Sequence, residues 1–105
     1  MGALPAAAVR AMADQTRVRL GGLAKYLQRP PTANGVAFGA LEDETGMVNL
    51  VFSPPVWERC RRTLLEAPAV LLDGHIERDH GAFNVIVHRA ENLAVPTSTR
   101  TRRGR

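Results

Sequence analysis

The sequence predicts an all-β domain, a five-stranded Greek-key barrel with one capping helix between the third and fourth strands. Five short stretches contain the apolar and polar alternation of half-buried strands. Glycines interrupt the first and fourth of these stretches, where strands of a small barrel must bend. One further stretch, between Ser53 and Ala67, instead has its apolar residues at helical spacing.

The first predicted strand covers residues 17–28, because Val18 and Leu20 alternate there with arginines. Gly21-Gly22 predicts a bulge at a bend in this strand. Residues 29–34 then form an exposed loop, since two prolines remove backbone donors. Residues 1–16, which precede the strand, are expected to form an N-terminal arm or a short helix.

The next stretch, GVAFGALEDETGMVNLVF at residues 35–52, predicts a hairpin that supplies strands two and three. Its acidic tip, residues 42–44, is followed by Thr45 and Gly46, which suit a tight turn. The negative charge of the tip would also repel phosphates from that end of the domain. The side chains predicted to face the core are Leu41, Val48, Leu50 and Phe52.

Ser53-Pro54-Pro55 predicts a helix start in which Ser53 is the cap, and Ala67-Pro68 marks its end. Strands four and five follow at residues 69–78 and 83–89, joined by a hairpin turn at residues 79–81. Gly74 marks a bend in strand four. The side chains predicted to line the inner side of the helix are Val56, Trp57, Cys60, Leu64 and Leu65.

The resulting order, three strands, one helix and two strands, is that of the OB-fold, which we assign to residues 17–93. Residues 94–105 turn to Pro, Ser, Thr and Arg, and we expect a disordered basic tail there. The chain has 14 basic and 10 acidic residues, and the last six residues hold four of the arginines. Without those four the charges balance, so any basic surface on the barrel must come from the placement of its cations.

Several classes of function find no support in the sequence. The single cysteine, Cys60, falls on the helix and is expected in the core, while His75, His80 and His88 lack metal-ligand spacing. No serine-protease-like triad, Walker loop or dinucleotide fingerprint is present. We therefore expect a binding protein with no catalytic residues, no metal and no cofactor. With no apolar run of about 18 residues and no signal peptide, a cytoplasmic location is expected.

The stretches RP, GVAF, LEDETG and VNLVF, followed by VWERCRR, LLDGHIER and VIVHRAENL, carry a resemblance to one family. They resemble the C-terminal OB domain of bacterial C-family DNA polymerase α-subunits, above all the error-prone, damage-tolerant branch. The resemblance covers roughly residues 17–93. That family has much longer chains, and its polymerase carboxylates are absent here, so the resemblance implies a module of DNA replication or repair without polymerase activity.

The hairpin also resembles the anticodon-binding OB domain of aspartyl- and lysyl-type tRNA synthetases. In that family an aromatic side chain on strand two stacks on a base, and an amide on strand three reads it. The matching positions in this sequence are Phe38 and Asn49. An RNA or tRNA ligand is therefore a second possibility.

The candidate nucleic-acid-binding residues lie on the first three predicted strands and the loop after the first. Phe38 would stack on a base, and Asn49 offers a donor and an acceptor. The cations of strand one and the loop after it are expected next to the same face, where they would follow phosphates. The predicted partner is single-stranded DNA. RNA is an alternative, as is another subunit of a replication or lesion-bypass complex docked on Val36, Ala40, Met47 and Val51. The full set of candidate residues is Arg17, Arg19, Lys25, Tyr26, Arg29, Phe38 and Asn49.

Overall fold

A computed structural model of the protein describes residues 2–93; the predicted basic tail, residues 94–105, lies outside the described residues. Within residues 2–93 the chain forms two helices and five strands. In chain order they are α1 (Ala6–Val9), β1 (Arg17–Gln28), β2 (Ala37–Asp43), β3 (Gly46–Phe52), α2 (Pro54–Glu66), β4 (Val70–Asp79) and β5 (Ala82–Asn92). Neither helix of this part of the chain is long and apolar enough to span a membrane.

The five strands close into one barrel in the order β1-β2-β3-β5-β4. Neighbouring strands pair antiparallel except β3 and β5, which run parallel through Leu50 opposite Val85 and Val51 opposite Ile86. The long strand β1 pairs with β4 in its first half and with β2 in its second half, so it belongs to both sides of the barrel. The predicted OB-fold, with its helix between the third and fourth strands, is confirmed.

The barrel interior is filled by apolar side chains from every strand and from α2. The four hairpin residues predicted to face the core are all buried, as is Cys60 on the helix. Burial raises the pKa of the Cys60 thiol. Trp57 is 7% exposed and packs edge-on against Phe52, with ring centroids 5.5 Å apart.

Two details of α2 differ from the sequence prediction. Leu65 is 63% exposed, because the buried side of the helix is narrower than predicted and includes Trp57, Cys60 and Leu64. Ser53 occupies the N-cap position, but its hydroxyl forms no capping hydrogen bond. The proline at the second helical position lacks the N–H group that such a cap commonly accepts.

The short helix α1 packs against the barrel, since Ala6 and Val9 are buried in the core cluster. Asp43 and Thr45 at the tip of the β2–β3 hairpin accept hydrogen bonds from the Ala6 and Ala7 amides, at 2.8 and 3.1 Å. Beyond α1, the chain is held to β4 by the Arg78 guanidinium, which donates to backbone carbonyl oxygens of residues 10 and 12. The N-terminal segment is therefore fastened to two hairpins of the barrel.

The irregularities of the strands only partly follow the glycines. The bulge predicted at Gly21-Gly22 is wrong in position, because the pairing of β1 with β4 stays regular through Gly22. A Cβ at Gly22 would overlap the carbonyl oxygen of Glu42, so this glycine permits the close approach of β2. The β1 irregularity lies between Lys25 and Gln28 instead. The predicted irregularity at Gly74 is confirmed by a register shift between Asp73 and Gly74.

Candidate nucleic-acid interface

An open cavity of about 340 Å³ lies on the outer face of β2 and β3. It brings together three of the predicted binding residues, Tyr26, Phe38 and Asn49. In OB-folds this face, with the loops that border it, is where oligonucleotides bind. The remaining residues that line the cavity are Gln28, Gly39, Ala40, Met47, Leu50 and Asn84.

Phe38 and Asn49 reach this cavity because of the strand period. Phe38 pairs with Val51 and Ala40 pairs with Asn49 across the β2–β3 ladder, so these residues share the face opposite the core. Phe38 is half-buried and does not belong to the core cluster. Asn49 is exposed and presents an amide that can both donate and accept hydrogen bonds.

Tyr26 reaches the cavity through the β1 bulge. Three steps along β1, from Lys25 to Gln28, match two steps along β2, from Ala40 to Phe38, so one residue of β1 is extra. Tyr26 takes up the irregularity with a positive φ of 57° and is 69% exposed. A positive φ is uncommon outside glycine, and strained backbone of this kind clusters at functional sites.

The glycine at position 39 accommodates the same bulge. A Cβ built on Gly39 would lie 2.7 Å from a methyl group of Leu27, the residue after Tyr26. The missing side chain therefore leaves room for Leu27 to pack, while Tyr26 is directed outward. Leu27 is half-buried and packs against the core.

The predicted cations beside this face are occupied by acidic partners. Lys25 forms an ion pair with Glu42, and this contact raises the pKa of the lysine. Arg29 lies 3.3 Å from Glu58 on α2, and both side chains are more than half exposed. Exposed ion pairs are weak, so either cation can exchange its partner for a phosphate, but neither supplies an unopposed charge.

Arg17 and Arg19 do not border the cavity that contains Phe38, and their expected placement beside that face is wrong. They line a separate cavity of about 400 Å³ with Asp73, His88 and Arg89. The cause is the length of β1, which pairs with β4 over its first six residues before it reaches β2. Lys25 lies six positions after Arg19, which is up to about 20 Å along a strand.

The acidic tip closes its turn as predicted and has a further role. The Asp43 carboxylate accepts hydrogen bonds from the Thr45 hydroxyl and from the Thr45 and Gly46 amides. The Ala6 amide also donates to it, and these bonds together, led by the Thr45 hydroxyl, lower the pKa of Asp43. The tip is thus a docking point for α1, which nothing in the sequence pattern predicted.

Sequence reasoning missed two polar residues of the cavity, Gln28 and Asn84. Gln28 reads as the end of β1, and its position beside Phe38 depends on the bulge. Asn84 lies on β5, which is far from the hairpin in sequence but joins β3 when the barrel closes. Among residues 2–93 no group of three or more histidine, cysteine, aspartate or glutamate side chains has a geometry that could hold a metal ion.

The chain is similar in sequence to segments of bacterial error-prone DNA polymerases. It is 42% identical over 102 residues to that of Mycobacterium bovis and 43% identical over 89 residues to that of an Anaeromyxobacter strain. These alignments cover 97% and 85% of this chain but only 9% and 8% of the polymerases, so the chain spans less than a tenth of these relatives. No protein-family profile matches the chain.

Among solved structures, asparaginyl-tRNA synthetase from Pyrococcus horikoshii has the same fold over 89% of this chain and 22% of its own, with a TM-score of 0.71 and 22% sequence identity. This structural likeness supports the OB-fold. The sequence likeness to error-prone DNA polymerases extends along nearly the whole chain. The chain is therefore an OB-fold domain whose sequence homologues are C-terminal parts of bacterial error-prone DNA polymerases.

Proposed function

We propose that this domain binds single-stranded DNA on the β2–β3 face, as a non-enzymatic module acting beside a polymerase in the cytoplasm. The observation that carries the proposal is the convergence of Tyr26, Phe38 and Asn49 in one open cavity, with Asn84 at its border. These two aromatic rings and two amides come from four different strands, and Gln28 on β1 adds a third amide to the cavity. Stacked bases need the rings, and base edges need the amides.

Single strands suit this cavity better than duplex. A stacking side chain requires an unpaired base whose face is free, and each stacked base contributes ~1–3 kcal/mol. The two rings differ in setting, since Tyr26 is largely exposed on a bulge and Phe38 is half-buried between strands. We expect Phe38 to form the fixed floor of the site and Tyr26 to close over the base.

DNA is favoured over RNA because the sequence relatives are DNA polymerases. A protein partner is the second candidate, and a specific observation favours it. Ala40 and Met47 line the same cavity, and the nearest cations, Lys25 and Arg29, are already paired with acids. A face with little unopposed charge suits an apolar surface of another subunit as well as it suits a base.

The test is a titration of labelled oligo-dT, oligo-rU and duplex DNA of equal length at two salt concentrations. Oligo-dT should bind tightest and duplex weakest. Phe38→Ala and Tyr26→Ala should each weaken oligo-dT binding by about 5- to 150-fold, the range equivalent to one stacked base. Leu65→Ala, which removes an exposed apolar side chain from the far side of α2, is the matched control and should leave affinity unchanged.

Equal binding of duplex and single strands would contradict the proposal. If the Phe38→Ala and Tyr26→Ala proteins are folded and bind oligo-dT like the wild type, the β2–β3 face does not bind DNA. A protein partner then becomes the favoured function. Tighter binding of oligo-rU than of oligo-dT would retain the site and change its ligand to RNA.

A further inference from the structure

A second polar cavity lies on β1, β4 and β5. It measures about 400 Å³ and is lined by Arg17, Val18, Arg19, Asp73, His88 and Arg89. It shares no residue with the cavity that holds Phe38. We call it the arginine–histidine cavity.

Strand register assembles this cavity in two rows across the sheet. In one row Arg19 lies opposite Asp73, and Asp73 lies opposite Arg89. In the other row Arg17 lies opposite His75. His75 pairs in register with Ile86 on β5. Its ring nevertheless contacts His88, the residue of β5 that has no partner on β4 because the register shifts there.

The shift depends on Gly74. A Cβ at this position would overlap the carbonyl oxygen of Ile86, so only glycine allows β5 to approach β4 here. The result is a direct contact between two imidazoles, in which Nδ1 of His75 and Nε2 of His88 are 2.7 Å apart. The rings meet edge to face, with centroids 4.9 Å apart.

The charges of this cavity leave an excess of positive potential. Asp73 is engaged by Arg19, whose Nε lies 2.7 Å from the carboxylate, and this hydrogen bond lowers the pKa of Asp73. The Arg89 side chain is 70% exposed, and its guanidinium lies 3.7 Å from the Glu91 carboxylate. Arg17 is exposed, and its charge contributes to the lowered pKa of Asp73, but no carboxylate of residues 2–93 lies within 4 Å of its guanidinium. Two guanidinium groups are thus available to an anion.

We propose that the arginine–histidine cavity binds a phosphate group, carried by a nucleic-acid strand or present as the free anion. Guanidinium groups match phosphate oxygens in a two-pronged geometry, and Arg17 and Arg89 flank the opening from different strands. The histidine pair supplies a further donor from the cavity wall. The single carboxylate in the lining, Asp73, is neutralised by its partner and does not repel the ligand.

Phosphate affinity in this cavity should increase as the pH falls. The pKa of His88 is held below its usual value, first by burial, then by His75 and Arg17, with Asp73 acting in the opposite sense. An anion offsets that repulsion, so it favours the protonated ring and is in turn bound more tightly by it. The guanidinium of Arg59 on α2 donates a hydrogen bond to the His88 carbonyl oxygen at 3.0 Å. The other charged groups near the histidine pair are Arg17 and Arg19 on β1, Asp73 on β4, and Arg89 and Glu91 on β5.

The test follows the ring signals of His75 and His88 by NMR in the full chain. Inorganic phosphate at constant pH should shift the His88 signals along a saturable curve. The dinucleotide dTpdT should do the same if the group comes from a strand. Arg17→Ala combined with Arg89→Ala should weaken the response at least tenfold. Arg61→Ala combined with Arg62→Ala removes two exposed cations from α2 and should change it by less than twofold.

The pH arm uses dTpdT, because the charge of its phosphodiester is constant between pH 5 and 8 whereas inorganic phosphate itself titrates. Affinity should rise as the pH is lowered. His88→Gln, in which binding is followed through the His75 signals, should remove that rise while retaining binding. Phe38→Ala should leave the His88 response intact, so a failure of the stacking face and a failure of this cavity are distinguishable. The absence of a saturable shift with either ligand, or an equal response in the Arg17/Arg89 double variant, would overturn the proposal.

Discussion

At the scale of single residues, the same type of side chain has different roles depending on the face of the barrel it occupies. Phe38 and Trp57 are both aromatic, but Trp57 packs in the core against Phe52 while Phe38 lines an open cavity. Burial in the core contributes to stability, and exposure in a cavity allows contact with a ligand. Substitution of Trp57 should therefore lower stability, whereas substitution of Phe38 should weaken binding.

Trp57→Ala should lower the free energy of unfolding by ~3–5 kcal/mol, because it leaves a large cavity between α2 and the barrel. That loss is a large share of the stability of a small domain. Urea denaturation followed by circular dichroism measures it. Phe38→Ala is the comparison and should leave the midpoint nearly unchanged. A stable Trp57→Ala protein would show that α2 does not depend on this side chain.

Gly22→Ala should destabilise the barrel by ~1–3 kcal/mol, since the added Cβ would overlap a backbone oxygen of β2 that cannot move without breaking the ladder. Thermal unfolding detects the loss. Gly2→Ala, at a position with nothing within 4 Å of the new Cβ, is the control and should unfold like the wild type. If both variants unfolded at the same temperature, the close approach of β1 and β2 would not require a glycine.

At the scale of elements, the β2–β3 hairpin acts through both of its faces and its tip. One face fills the core, the other forms the floor of the candidate interface, and the tip holds α1. The attachment of α1 depends on a carboxylate, so it should depend on pH. The pKa of Asp43 is lowered first by the hydrogen bond from the Thr45 hydroxyl and next by the one from the Ala6 amide, which fastens α1.

Asp43→Asn should loosen α1 while the barrel stays folded. The contribution of Asp43 to stability is complete above its ordinary pKa of 3.8 and is lost as the pH falls through the lower folded value. Amide hydrogen exchange at Ala6 and Ala7 measures the attachment. These amides should be less protected from exchange in the variant than in the wild type at neutral pH. Protection in the wild type should fall to the level of the variant only in acid. Glu44→Gln, at the exposed neighbour, is the control, and equal acceleration there would indicate a general charge effect.

At the scale of the whole molecule, the arginine–histidine cavity and the aromatic cavity are built from different residues of the barrel. Tyr26 and Phe38 lie on one side of the barrel, the arginine–histidine cavity lies on another, and four arginines belong to residues 100–105. We therefore propose that stacking and phosphate contacts belong to different parts of the chain. The salt dependence of binding should come mainly from the parts that carry the arginines.

A chain that ends at Leu93 should bind oligo-dT more weakly, with a salt slope flattened by up to about 3, because four arginines no longer displace counterions. Binding titrations at several salt concentrations give the slope. The matched variant keeps the full length and replaces Arg100, Arg102, Arg103 and Arg105 by alanine. It should behave like the shortened chain, and an unchanged slope in both would exclude the tail from binding.

The sequence alone determined the fold and one aromatic–amide pair of the candidate site. Alternating residues such as Val48, Leu50 and Phe52 report which side of a strand is buried, because side chains point to opposite faces in a period of two. The helical spacing of Trp57, Cys60 and Leu64 reports the buried side of α2 for the same kind of reason. Phe38 and Asn49 could be placed on one face since both lie on a single hairpin whose turn fixes the register.

Tertiary structure alone decided which distant residues share a cavity. The bulge that turns Tyr26 outward depends on how Leu27 packs over Gly39, a contact between two strands that no local pattern encodes. Arg17 and Arg19 were separated from Phe38 because β1 changes partners from β4 to β2, and the contact of His75 with His88 required a register shift at Gly74. Local spacing fixes the face on which a side chain lies, whereas barrel closure and bulges fix its neighbours.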